Sequence, residues 1–252
     1  MSTLVTDTNV VLQRELKPMV RDPFSVVFSL IQPLVFLGLF GPLLDQVSGL
    51  EGDSALQWFV PGIIVMSALF ATSMTGSNLQ MEMQTGSHER MLVAPLYRSS
   101  LLVGRSLKEI VPVVLQAALI VLVTLPFGFR LEPVGAVLAV AIIATFGVGL
   151  GSLSHALAVA SKGEDWIFWT VQQTFLFPLM LLSGMLLPID GGPGWLQTAS
   201  KFNPLTYVVE ASRALFDGRI AEVAVLQGVV AAVAVCALGL AVGVRVIRSG
   251  TS

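Results

Sequence analysis

Charge is what this sequence has least of. Of 252 residues, 12% are Asp, Glu, Lys or Arg and 54% are hydrophobic, about half the charged share of an ordinary soluble domain. Water cannot solvate that much apolar surface on a compact monomer, so the composition implies an integral membrane protein. The formal net charge is −2 and the bases form no long run, which argues against a nucleic-acid partner. A single cysteine, Cys236, excludes an intrachain disulfide and reads as a small buried hydrophobe. The two histidines, His88 and His155, form no HExxH pair and meet no cluster of carboxylates, so no metal or catalytic site is expected. None of the lysines (Lys17, Lys108, Lys162, Lys201) follows a glycine, so the chain has no P-loop and no ATPase site of its own. The first 24 residues are polar and mixed, and no removable signal peptide is expected.

What is present is a set of long apolar runs. Crossing the hydrocarbon takes about 20 residues, and six stretches qualify: 24–44, 58–79, 107–129, 134–160, 166–187 and 223–247. The expected fold is therefore an all-α integral membrane protein of six transmembrane helices, one domain over 1–252. Three polar segments flank the spans: 1–23, 80–106 and 188–222. No run has Asp, Glu, Lys or Arg at its middle. That disfavours a proton-driven transporter, which carries chargeable groups there, and a channel, which needs a charged ring or a filter. Energy then has to arrive from outside the bilayer.

Orientation follows from the bases. Arg14, Lys17 and Arg21 precede the first run. Arg90, Arg98, Arg105 and Lys108 fall in the second connection, Lys162 in the fourth, and Arg245 and Arg248 at the end. The first connection has only Asp45, Glu51 and Asp53, and the third has Arg130 as its one base. Both termini are expected in the cytosol, with the protein in the cytoplasmic membrane.

Each flanking segment carries a pattern of its own. Near the start, Val11, Leu12, Leu16, Met19 and Val20 share one helical face opposite Gln13, Arg14 and Lys17, which suits a helix lying in the membrane surface. In 80–106, Gly86 breaks the chain before Met91, Leu92 and Leu96, which recur at helical spacing beside Glu89 and Arg90. This predicts a short cytosolic helix gripped by another protein; a loop merely solvated by Glu89 and Arg90 would not need that apolar side. In 188–222, a Gly/Pro turn and Trp195 precede Asn203-Pro204, an N-cap with proline at the first helical position. Leu205, Val208, Val209, Leu215 and Phe216 then make an apolar stripe, and Gly218 closes the helix. On the polar side, Arg213 is spaced to pair with Glu210 and Asp217. The helix is too short to span and should dip into the outer interface. Ser152, Ser154 and His155 lie too close together along one helix to act as nucleophile, base and orienter, and read as packing residues. Gly147, Gly149 and Gly151, with Gly239 and Gly243, are small-residue patterns for close helix approach.

Two of these stretches together resemble the membrane subunit of type-2 ABC exporters, the group that includes daunorubicin-resistance and nodulation-factor export permeases. Gly86, Glu89, Arg90, Met91 (in place of leucine) and Pro95 match the family's G-x-x-E-R-L-x-x-x-P. Pro188, Asn203, Pro204, Leu205, Thr206, Arg213 and Gly218 match its P…NP-L-T…R…G. The resemblance runs nearly end to end. It implies a homo- or heterodimer of permeases on two nucleotide-binding ATPase subunits, which would hold the ATP and Mg, with no cofactor in this chain. By the same resemblance, Leu12, Arg14, Leu16 and Lys17 belong to a connecting helix. Glu82, Gly86, Glu89, Arg90, Met91, Leu92, Pro95 and Leu96 would couple to the ATPase. Pro188, Asn203, Pro204, Glu210 and Arg213 belong to an outer re-entrant gate. The second and fifth spans would line the path, through Met66, Phe70, Ser73, Met74 and Ser77 on one and Trp169, Gln173, Phe177 and Met180 on the other. Aromatic and methionine surfaces suit an amphiphilic drug, antibiotic or lipid. Export of a polysaccharide or lipid-linked saccharide, and a non-transporting membrane scaffold for an ATPase, are the alternatives.

Overall fold

The computed structural model describes residues 4–21, 31–44, 53–87, 98–161, 164–189 and 191–249, and all regular structure among them is helical. In chain order the α-helices are α1 (Leu4–Arg21), α2 (Ile31–Leu44), α3 (Asp53–Gln84), α4 (Arg98–Leu107), α5 (Ile110–Thr124), α6 (Pro133–Ala160), α7 (Asp165–Leu181), α8 (Gly194–Ser200), α9 (Pro204–Phe216) and α10 (Val223–Ser249). A 3-10 turn at Leu125–Phe127 ends α5, and Gly128 then takes a left-handed φ of 98° that stops the helix.

Four helical stretches are long and apolar enough to cross a membrane: Ala55–Gln84, Ser100–Phe127, Pro133–Ala160 and Val223–Val246. The run expected over 134–160 is α6 within one residue, and that over 223–247 lies within α10. The run over 58–79 is longer than expected: α3 has 32 residues, about 48 Å at 1.5 Å per residue. It continues past the apolar stretch because polar residues at both its ends find partners on other helices. The run expected over 166–187 is shorter. Helix α7 stops at Leu181, three residues after Pro178, and the chain turns through Gly184 at φ 71°, leaving 17 residues, fewer than a span of about 20. Of the first expected run, Ile31–Leu44 is helical and 22–30 lies outside the described residues.

Helix α6 is the centre of the bundle, packed by α3, α5, α9 and α10. Its glycines permit this. A Cβ on Gly239 of α10 would land on the carbonyl of Gly149, and one on Gly149 would meet the Val235 carbonyl and the Cys236 backbone at 2.6–2.7 Å. The two helices therefore touch backbone to backbone, as small-residue patterns allow. Helix α9 is buried in the same core: Leu205, Val208, Val209, Leu215 and Phe216 have no exposure at all. The outer faces stay apolar, with Leu122, Phe127, Val137, Val223, Leu226 and Leu238 exposed, as expected of surfaces that face lipid or a second subunit.

Candidate functional site

Helix α3 ends in two polar assemblies of different chemistry, one beside α1 and one beside α9. At the α1 end, α1 lies on α4 because Gly104 leaves room for it. A Cβ there would meet Val11 at 2.8 Å and the Thr8 carbonyl at 2.9 Å. The face of α1 turned inward is Asp7–Val11–Glu15, one turn apart, with Val11 and Asp7 buried. Leu12 and Leu16 are half-buried, and Arg14 and Lys17 are exposed. Arg105 of α4, 4% exposed, is the node. Its Nε donates to Glu15 at 3.3 Å and its Nη2 to Glu82 near the end of α3. Lys108 donates to the other Glu15 oxygen at 2.9 Å. Burial alone would raise the Glu15 carboxyl, but the Lys108 and Arg105 charges and the Lys108 hydrogen bond outweigh it and hold it below the ordinary carboxylate value. Three helices are thus joined by a charge lattice.

Hydrogen bonds outside the ion pairs continue along the same end. Gln80 donates to Ser161 at 2.9 Å, Gln84 to Asp165 at 3.1 Å, and Arg14 to Ser87 at 3.5 Å. Gly86, at φ 68°, ends α3, with its N–H on the Met83 carbonyl. Deeper in the bundle, Ser154 of α6 donates to the Ser73 carbonyl at 2.8 Å and accepts from the Gly76 N–H at 3.0 Å, while Gln172 of α7 donates to the same Ser73 carbonyl at 2.8 Å. Ser152 shares a 2.8 Å hydrogen bond with Ser106. The serines of α6 are packing residues, and His155 beside them is buried. Chargeable groups do sit inside the bundle: besides His155, Glu109 is 2% exposed at the α4–α5 break, bonded to Thr75 and packed on Gly151.

At the α9 end the fastenings are main-chain carbonyls. Asn203 caps α9 by accepting from the Leu205 N–H at 3.0 Å, and its amide donates to the Leu179 carbonyl at 2.7 Å. Gln57 of α3 donates to the carbonyls of Arg130 and Phe216 at 3.0 and 3.1 Å and accepts from the Arg130 N–H at 3.1 Å. Arg213 reaches from α9 to the carbonyls of Trp58 (3.1 Å), Gly184 (2.8 Å) and Met185 (3.3 Å), its guanidinium 3.7 Å from the centre of the Trp58 ring. The spacing with Asp217 is not used. Asp217 pairs instead with Arg219 at 3.0 Å, and Arg219 also holds Glu222 at 2.6 Å. The turn after α7 leaves main-chain carbonyls open, and the planar fork of Arg213 satisfies them.

The structure brings together only part of what the sequence singles out. Glu82 and Gly86 lie at the α1 end, whereas Glu89, Arg90, Met91, Leu92, Pro95 and Leu96 lie outside the described residues. On α3, Met66 and Ser73 are buried, Phe70 and Ser77 half-buried, and Met74 exposed; on α7, Met180 is buried, Trp169 and Gln173 half-buried, and Phe177 exposed. Pro188 and Glu210 are exposed and Pro204 is half-buried, beside the buried Asn203. Sequence reasoning missed Glu15, Arg105, Lys108 and Gln57 as structural ties. The available signal was the helical spacing of Leu101, Leu102 and Arg105, which marks α4 as amphipathic.

Comparison with known proteins finds a family match and several related permeases. Residues 6–216 match the family described as ABC-2 type transporter. The chain is 26% identical over 219 residues to the daunorubicin resistance ABC transporter permease protein DrrB1 of Streptomyces coeruleorubidus, covering 86% of this chain and 77% of that one. It is 33% identical over 204 residues to the putative transport permease ycf38 of Cyanophora paradoxa, covering 78% and 69%. It is 24% identical over 248 residues to the probable doxorubicin resistance ABC transporter permease protein DrrC of Mycobacterium tuberculosis, covering 96% and 89%.

Proposed function

The chain belongs to the ABC-2 type transporter family, and from that premise we propose that it is the permease subunit of an exporter for amphiphilic or hydrophobic compounds. Its power comes from ATP hydrolysed on a separate subunit. Two permeases, identical or homologous, stand on two ATPase subunits, and each has six spans with both termini in the cytosol. The α1 end is then the cytosolic end and the α9 end faces outward.

The observation that carries the reading is the Arg105 node, which ties α1 and α4 to the last turn of α3. Helix α3 ends at Gln84 and α4 begins at Arg98, and in this proposal the segment 88–97 between them is where a docked ATPase presses. Glu89, Arg90, Met91, Leu92 and Leu96 supply the contacts in this proposal. A push there moves α1, α4 and α3 together, because a buried charge lattice resists separation. Along α3 the displacement reaches Gln57 and Trp58, and through Arg213 it reaches α9 and the turn after α7. The exposed Met74 and Phe177 give the path apolar, adaptable surface. The names of the drug-resistance relatives agree with an amphiphilic cargo.

The test is reconstitution of this chain with its ATPase partner in vesicles loaded with a fluorescent anthracycline. The reading expects efflux that needs ATP and both subunits. Efflux driven by a proton gradient without the ATPase would overturn it, and transport restricted to a lipid-linked oligosaccharide would move the substrate class to saccharides.

A further inference from the structure

Helix α7 packs on α3 and α6, and one polar side chain in its middle reaches both of them. The amide of Gln172 donates to the Ser73 carbonyl of α3 at 2.8 Å. The Ser154 hydroxyl of α6 closes a triangle, 2.8 Å from the same carbonyl and 3.3 Å from Gln172 Oε1, and accepts from the Gly76 N–H at 3.0 Å. Gln172, Ser73 and Ser154 are all buried. The backbones are close at this level: a Cβ on Gly76 would meet the buried Phe168 ring of α7 at 2.6 Å. Replacing the polar corner would therefore free a contact that water does not reach.

The same contact fixes what lies beside it. Gln84 at the end of α3 meets Asp165 at the start of α7, and Arg213 joins Trp58 at the start of α3 to the turn after α7. The two helices are thus antiparallel. Each residue advances about 100° around a helix, and in antiparallel neighbours that rotation runs in opposite senses. One step on from the contact therefore swings to the same side of the seam on both helices. On α3 those next residues are Met74 and Ser77, after Ser73 and Gly76; on α7 they are Trp169 and Gln173, after Phe168 and Gln172. They make the two walls of one groove. Its acceptor is Gln173 Oε1, buried and without a hydrogen-bond partner among the described residues, which a hydroxyl or ammonium of a bound molecule can fill.

We propose that Gln172 is a positioning residue: by holding α7 on Ser73 it sets the width of this groove, and with it the amphiphiles that fit, favouring flat ring systems that carry a hydrogen-bond donor for Gln173. The width of the groove does not depend on the export reading, whereas the selection of cargo rests on it.

The width is read on the purified chain in vesicles, without the ATPase. Cys236 is the chain's one cysteine, so in a Cys236→Ser background spin labels can be placed at Met74→Cys and Phe177→Cys, both exposed positions. Gln172→Leu, close in size but without the amide, should shift and broaden the distance between them, and Gln173→Leu should leave it as it is. If Gln172→Leu does not insert, Ser154→Ala removes another corner of the triangle and should broaden the same distance. An unchanged distance in whichever variant inserts would overturn the positioning role. Cargo is read with the ATPase partner, as the concentration that half-saturates stimulated hydrolysis by an anthracycline or by dodecyltrimethylammonium, which is slim and has no donor. Gln172→Leu should raise the anthracycline value about fivefold relative to the other, the worth of one hydrogen bond, while the maximal rate of hydrolysis is kept. A loss of maximal rate with both half-saturation values unchanged would overturn the selection of cargo. If neither compound stimulates the unaltered complex, the export reading fails, and the distance still decides the role of Gln172.

Discussion

The two ends of α3 are fastened by opposite means. Beside α1 the ties are ion pairs between side chains, Arg105 to Glu15 and Glu82, and Lys108 to Glu15. Beside α9 they are hydrogen bonds from Gln57 and Arg213 to main-chain carbonyls, with a cation held on Trp58. Ion pairs depend on the charge state of their partners, and even buried ones, though little screened by salt, loosen when a carboxyl is protonated. Carbonyls of a folded backbone cannot exchange partners without moving the backbone. One end is therefore adjustable and the other indexed to the fold, which is the arrangement expected of a bar pushed at one end and read at the other.

The largest effect should come from the node itself. Arg105→Met leaves Glu15 and Glu82 without their shared cation, and breaking a buried pair costs about 3–5 kcal/mol; thermal unfolding of the purified chain should show it. Removing Arg213 strips three carbonyls of their donor and uncovers Trp58. Arg213→Ala should cost about 2–3 kcal/mol, and Arg213→Lys should recover only a fraction, since an ammonium cannot reproduce the planar fork. Gln57→Leu unpairs the Arg130 and Phe216 carbonyls and the Arg130 N–H, for about 1–2 kcal/mol. Unlike the ties of the α1 end, this loss should be independent of pH.

The smallest effect is the acid response of the α1 end. Glu15 is held below its ordinary value of 4.5, so its contribution is complete above that pH and is lost as pH falls through the lower folded value. Hydrogen exchange in α1 should therefore quicken below about pH 4.5 before that in α9 does. If α9 loosens first, the contrast between the ends is wrong.

Much of the frame could be read from pattern. Asn203-Pro204 fixes the start of α9 and Gly218, at φ 77°, its end, because these are local devices set by a few neighbouring residues. Long-range ties were not legible. Glu15 and Arg105 are 90 positions apart, and nothing near either names the other. Helix α4 was read as part of a polar connection because Arg98, Ser99, Ser100 and Arg105 outweigh the short apolar side marked by Leu101 and Leu102. Arg213 was assigned Asp217 at helical spacing, whereas Asp217 pairs with Arg219 and the Arg213 fork reaches carbonyls of a turn whose position depends on where α7 ends. The interior looked free of chargeable groups because Glu109 stands in the first turn of its run, where sequence reads an interface and the bundle makes a buried site.

One substitution tests the central claim most directly. Glu82 is the residue through which the Arg105 node grips α3, and with 29% of its side chain exposed it can be removed while Arg105 keeps Glu15. In vesicles holding Glu82→Ala and the ATPase partner, compounds exported per ATP hydrolysed should fall about tenfold, the loss of one charge-assisted contact, while hydrolysis itself continues. An unchanged export ratio would mean that α3 is not driven from its α1 end.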